Sequence, residues 1–409
     1  MTGIILAIAA VSGSSQDFSA IDRHALNAPE QVGETVESLA SYLIEPARND
    51  TEKIRALFRW ITANINYDIH SLRSASLHFS DPNDVLKIRS AVCDGYSTLF
   101  EALGRAAGLR VIKISGFAKG YGYEIGDSVL RPPNHSWNAV WLNGKWQLLD
   151  ATWGAGHIDE SGRFIRAFDE FFFLTKPGEL INTHFPENPQ FQLINPPVTA
   201  EIFIGMPYLK PAFFKQRLGL NSHHLGTIEC RGRTRILLEN PLRAQLTARL
   251  IYNGKSLNES QLFIQNQGSN AVIHVMSPGQ GSYVLRIFVR RPHDRGEFEW
   301  AMDYLLNCQP SPQNKPAFPT VFSSFSQADA YLFRPLSGTL IPNRSVQFEL
   351  TVPEADTVVI IQDNQWVRMA RNNNHFIKTV RVNPGELQIG ALFPGKTRYE
   401  ILLKYEVHD

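Results

Sequence analysis

Between Thr51 and Ile65 the apolar residues Ile54, Leu57, Phe58, Ile61 and Ile65 recur at the spacing of one buried helix face. The chain from about residue 18 to 112 keeps this helical period. A second helix is predicted from near Ala91 to Ala107, with Val92, Tyr96, Leu99, Phe100 and Leu103 on one stripe and Gly108 placed to close it in the left-handed conformation. The period then shortens. Arg110 to Phe117, His135 to Leu142 and Lys145 to Thr152 read as strands, and Asn143-Gly144 predicts a two-residue type I′ hairpin turn between the last two. The Gly/Tyr-rich run Lys119-Gly120-Tyr121-Gly122-Tyr123 is expected to border a cleft. After Pro196-Pro197 only short alternating runs remain, among them Thr227 to Cys230, Gln245 to Tyr252 and Ser282 to Val289, as in a β-sandwich. Past a Pro-rich stretch, Val346 to Val352, Thr357 to Gln362, His375 to Val382 and Tyr399 to Tyr405 suggest another.

This pattern divides the 409 residues into a terminal segment at 1–17, an α+β domain at 18–195, a β-sandwich at 198–309, a linker at 310–318 and a second sandwich at 319–409. A hydrophobic share of 43% with 19% charged residues describes an ordinary globular chain. The 40 Lys and Arg nearly cancel the 39 Asp and Glu, so no basic field is available for a phosphate backbone and no nucleic-acid partner is expected. Short basic runs such as Arg231 to Arg235 fit solvated strand edges. No stretch approaches the roughly 20 apolar residues that cross a bilayer. Gly3 to Val11, followed by small residues, resembles the apolar part of a secretory leader without a basic residue ahead of it, so secretion or another extracytoplasmic location is the expectation, with the cytoplasm as the alternative. Of the three cysteines, Cys93 is the candidate free thiol; Cys230 and Cys308 are either joined in an oxidising compartment or buried and reduced.

The predicted hairpin carries candidate chemistry. With a two-residue loop, His135 would oppose Thr152 and Trp137 would oppose Asp150. All four would share one face, with Asp150 a diagonal step of about 7 Å by Cα from His135. A carboxylate there can orient the imidazole and stabilise its protonated form. In Ala91-Val92-Cys93-Asp94-Gly95-Tyr96 a thiol sits at a helix start, where free N–H groups favour thiolate, and its own amide could help hold an oxyanion. A thiolate beside an imidazolium is a nucleophile for acyl carbons. A zinc site is disfavoured, because no second Cys or His lies at ligand spacing beside Cys93, and no cofactor is expected.

Three blocks, Ala91 to Ser97, Asn134-His135-Ser136-Trp137-Asn138 and Trp146 to Gly154 with Leu149-Asp150-Ala151-Thr152-Trp153, resemble the signatures of the transglutaminase-like superfamily. Ile21-Asp22-Arg23-His24-Ala25-Leu26, Lys53 to Thr62 and Asn66-Tyr67-Asp68 are similar to its kyphoscoliosis peptidase group. The resemblance covers roughly residues 18 to 190. It implies a papain-like α+β catalytic domain followed by Ig-like β-sandwiches, with Cys93 as nucleophile, His135 as general base and acid, and Asp150 as orienter. An aromatic side chain upstream of the cysteine is implied at the oxyanion, for which Trp60 and Tyr67 are candidates, and Trp137 is a candidate cleft wall. Acidic residues are not spaced as a Ca²⁺ loop. The expected activity is cysteine-dependent acyl transfer on a protein or peptide substrate, as a peptidase or a cross-linking transglutaminase. The competing reading is a protein-binding scaffold with a silent site, its β-sandwiches holding protein partners.

Overall fold

A computed structural model describes residues 16–74, 81–127, 132–159, 161–257, 259–309 and 318–408. Residues 1–15 of the terminal segment expected at 1–17, and 310–317 of the linker expected at 310–318, lie outside them. One compact unit takes in the described parts of 1–121 and 131–198, and a second takes in those of 122–130 and 199–409.

In the first unit Asn49 caps Asp50–Asn64 by accepting from the Glu52 N–H at 3.0 Å, and Ile54, Leu57, Phe58 and Ile61 are fully buried on the predicted face. They meet Tyr96, Leu99, Phe100 and Leu103 of Cys93–Ala106 in one core, each contributing about 2 kcal/mol through burial. Gly108, at φ 75°, follows that helix as its left-handed closing residue. Arg55 gathers Asp22 (2.6 Å) and Glu170 (2.5 Å), so Asp22 and Arg55, from two of the family-like blocks, serve to fasten the first helix, Ser19–Leu26, to the body.

A four-stranded antiparallel sheet packs on the Cys93 helix in the order Lys145–Leu149, His135–Leu142, Val111–Ala118, His184–Pro186. The hairpin register is the predicted one, Leu142 opposite Lys145, and Asn143 (φ 51°) and Gly144 (φ 79°) both adopt the positive φ that a type I′ turn requires. The second strand is shorter than expected. It stops at Leu149, because the Asp150 side chain turns back to accept from the N–H groups of Thr152 (2.7 Å) and Trp153 (3.0 Å) and caps a short helix, Ala151–Ala155. The expected pairing of His135 with Thr152 therefore does not form.

The second unit holds two sandwiches with separate cores. In one, a sheet containing Arg233–Glu239, Asn270–Met276 and Leu262–Gln267 faces a sheet containing Thr227–Cys230, Glu299–Cys308, Gly281–Arg290 and Gln245–Tyr252. Cys230 and Cys308 stand opposite each other on neighbouring parallel strands and form a disulfide. In the other, Glu400–Val407, Gly385–Leu392 and Thr357–Gln362 face Tyr331–Arg334, Ser345–Thr351 and His375–Arg381. The Gln265 side chain joins the two by bonding both the N–H and the C=O of Leu332. The loop expected to border the cleft divides at Tyr121: residues 122–127 belong to this second unit, where the Tyr123 ring packs edge-on against Tyr208 at 5.0 Å.

Candidate active site

Cys93 is the first residue of its helix, whose preceding residue Val92 supplies no side-chain cap, so the first-turn N–H groups remain available to an anion. Polar stitches hold this turn against the sheet. Ser97 Oγ meets Ser136 Oγ at 2.8 Å, Asn138 Nδ2 donates to the Ser97 carbonyl at 3.0 Å, and Lys113 Nζ reaches Asp94 at 2.8 Å. Asn134 fixes the approach to His135, since its side chain bonds both the N–H (2.7 Å) and the C=O (3.1 Å) of Ala118 while its own carbonyl lies 4.0 Å from Cys93 Sγ. The neighbouring strand must come very close here. A Cβ on Gly116 would lie 2.4 Å from the Phe185 carbonyl and 2.5 Å from the Trp137 ring.

His135 Nε2 donates to Asp150 Oδ2 at 2.7 Å, which leaves Nδ1 as the imidazole nitrogen not engaged by the carboxylate. Asp150 is completely buried and is satisfied on both oxygens, Oδ1 by the two backbone N–H groups and Oδ2 by imidazoles. Burial alone would raise its pKa; His135 and then His184 overcome this and hold it well below the usual carboxylate range. Burial works against a charged imidazole too, but Asp150 and Cys93 prevail and push His135 up to about 10. For Cys93 burial disfavours thiolate, yet the charge and hydrogen bond of His135 and the Ser136 N–H bring its pKa down.

Of the aromatics considered at sequence level, Tyr67 lies within electrostatic reach of Cys93 and Asp150. Burial first, then those two negative groups, keeps its phenol protonated and hence a donor. Trp137 is buried, with its ring stacked on His135 at 6.0 Å. Trp60 is buried beneath the Arg89 guanidinium, 4.4 Å away, beside Ala28 and Pro29.

His184 was missed. Its Nε2 reaches the same Asp150 Oδ2 at 3.1 Å, and its Nδ1 meets Thr183 Oγ1 at 2.8 Å. A lone histidine before Phe185-Pro186, 34 residues beyond Asp150, gave no local signal. Among the described residues, His135, Asp150 and His184 form the one His/Cys/Asp/Glu group whose donor atoms, all within 4.8 Å, converge closely enough for a metal. Both nitrogens are already hydrogen-bonded to the carboxylate, so the arrangement reads as a proton-holding cluster.

Residues 37–151 match the model of the transglutaminase-like superfamily, and residues 200–320 match that of the KY-like, immunoglobulin-like domain. Kyphoscoliosis peptidase of Homo sapiens is 32% identical over 320 residues, covering 75% of this chain and 47% of the relative. That of Mus musculus is 33% identical over 297 residues, covering 70% and 44%. Hillarin of Drosophila melanogaster is 28% identical over 314 residues, covering 66% and 36%. The matched stretch is thus less than half the length of each of these relatives. With a transglutaminase-like domain at its front and a KY-like, immunoglobulin-like domain behind it, the chain belongs to the transglutaminase-like superfamily, in its kyphoscoliosis peptidase-like group.

Proposed function

We propose that the first unit is a cysteine-dependent acyl-transfer enzyme, a peptidase acting on a protein or peptide. The Cys93 thiolate attacks the carbonyl carbon of a peptide or glutamine amide, and the tetrahedral oxyanion is held by the first-turn N–H groups and the Tyr67 phenol. Collapse breaks the C–N bond, and His135 gives its proton to the leaving amine, so a thioester remains on Cys93. Water then attacks the thioester, with His135 taking its proton, and the acid and free thiol are released. An amine in place of water would give the cross-linking reaction on the same site. Peptidase is preferred because relatives bear that name.

The observation that carries this reading is the buried imidazole held on Asp150 through Nε2, close enough to Cys93 for its charge to favour the thiolate. Cys93 is the free thiol, so alkylation reports on it alone. The test is the alkylation rate against pH in the intact chain and in His135→Ala. An inflection well below the roughly 8.5 of a free thiol, abolished in the variant, supports the enzyme. A normal titration indifferent to His135 leaves a protein-binding scaffold, whose partners would be sought on the sandwiches. The Cys230–Cys308 disulfide supports an oxidising, extracytoplasmic location. Finding both thiols free in chain taken from cells without reductant would refute that part.

A further inference from the structure

We propose that His184 is a positioning residue for this chemistry, a second imidazole whose donation to Asp150 Oδ2 lets the buried site keep its thiolate. This rests on the acyl-transfer reading. A thiolate, an imidazolium and a carboxylate together carry one uncompensated negative charge, and Asp150 is wholly out of water with His135 almost so. The neutral thiol and imidazole are the alternative that burial favours. His184 changes the balance by placing an N–H on the oxygen that already receives His135, so that four donors surround the carboxylate.

The surroundings of His184 are built for this. Its strand is fixed by the pairing of Gly116 with Pro186 and Ala118 with His184, at the place where the Gly116 position admits no Cβ. Trp153 at 4.5 Å, Trp137 at 5.0 Å and Phe172 at 6.3 Å enclose the ring with apolar surface. The Thr183 hydroxyl, which also lies 3.3 Å from the Leu180 carbonyl, holds Nδ1 and so aims Nε2 at Asp150. Both links from Thr183 through His184 to Asp150 are satisfied by a neutral imidazole when the Thr183 hydroxyl donates to Nδ1 and Nε2 donates to the carboxylate. The titratable and charged groups around it are Asp150, His135 and Cys93, with Tyr67 and Tyr96 beyond the carboxylate and Lys119, whose N–H bonds the Thr183 carbonyl at 2.9 Å. Burial lowers the Lys119 ammonium to about 7. Lys119 is unchanged in the variants below.

The experiment measures the pH profile of Cys93 alkylation in the wild-type chain, His184→Phe and His184→Gln, with thermal unfolding as the control for folding. His184→Phe keeps the ring volume and removes the donor; its inflection should rise by about one pH unit, with alkylation near pH 6 about tenfold slower. His184→Gln carries an amide N–H close to the position of Nε2 and should return most of the shift. Should His184→Phe fail to fold, Thr183→Val decides, since it leaves the imidazole in place and frees its aim: a rise in the inflection supports the proposal and an unchanged profile overturns it. A folded His184→Phe with the wild-type profile overturns it as well, as does a His184→Gln shifted as far as His184→Phe. A wild-type inflection near that of a free thiol defeats the acyl-transfer reading itself, whereas a low wild-type inflection that no variant moves defeats only the role of His184.

Discussion

Asp150 in the first unit and Asp303 in the second are both buried carboxylates, 0% and 2% exposed, yet they are held in opposite ways. Asp303 takes Arg286 at 3.0 Å and Trp300 Nε1 at 2.8 Å, with Arg286 also stacked on the Trp300 ring. Burial outweighs these partners and pushes its carboxyl up. Asp150 has two backbone N–H groups and two imidazoles, which together outweigh the same penalty and hold it down. A guanidinium keeps its proton throughout the working range of a protein, so the Asp303 cluster is a fixed pair that fastens strands. An imidazole can pass its proton on, and one of those on Asp150 faces a thiol. Buried histidines give the same contrast. His135, beside a carboxylate and a thiolate, is raised to about 10, whereas His274, enclosed near Arg233 and Arg235 with no carboxylate, is lowered by burial and those charges to about 4. The difference teaches that burial alone does not make a site; the titratability of the partner does.

The sharpest way to break the comparison is Asp150→Asn, which removes the anion while keeping the shape. Cys93 alkylation at pH 6 should fall about a hundredfold, toward the small thiolate fraction of a free thiol, and retention of the wild-type rate would show that Asp150 does not support the pair. Next is His274. Its folded pKa lies below its unfolded value, so the unfolded chain binds a proton that the fold excludes; stability is intact above about 6.5 and is lost as pH falls toward 4. His274→Gln should remove about 2 to 3 kcal/mol of that acid loss, read from urea unfolding of the second unit's transition at pH 7 and pH 4. Arg286→Met would take the guanidinium from Asp303, costing about 2 kcal/mol after allowance for its partial exposure, while the alkylation profile of Cys93 stays in place. Any shift in that profile would mean that the two clusters are not independent. Smallest is Gly116→Ala, expected to cost about 1 to 2 kcal/mol in thermal unfolding as the strand of His184 is forced away from Trp137.

Much of the fold is legible because it follows from local period. The stripe from Ile54 to Ile61, the Asn143-Gly144 register and strands such as Thr227–Cys230, Gln245–Tyr252 and Thr357–Gln362 occur where alternation or helical spacing places them. The hairpin end is where that logic fails. The expected pairing continued to Thr152, but an Asp side chain competes for nearby N–H groups, and capping Ala151–Ala155 won over three more strand pairs. The carboxylate still reaches His135, from a helix cap instead of from a pleat. Trp60 gave no sign in the sequence of its contact with Arg89, since an aromatic on a helix reads alike whatever covers it.

By itself the sequence determined the local pieces: a thiol at a helix start, a histidine on a strand whose register a two-residue turn sets, and an aspartate near the end of the partner segment. These depend on neighbours a few residues away, where periodicity and turn chemistry act. Only the tertiary structure decided that His184 returns across 34 residues to share Asp150, that Cys230 and Cys308 pair across parallel strands, and that residues 122–127 leave the first unit for the second. Those outcomes depend on which buried polar groups and apolar faces meet when the whole chain closes, and distant side chains in a sequence carry no record of that meeting.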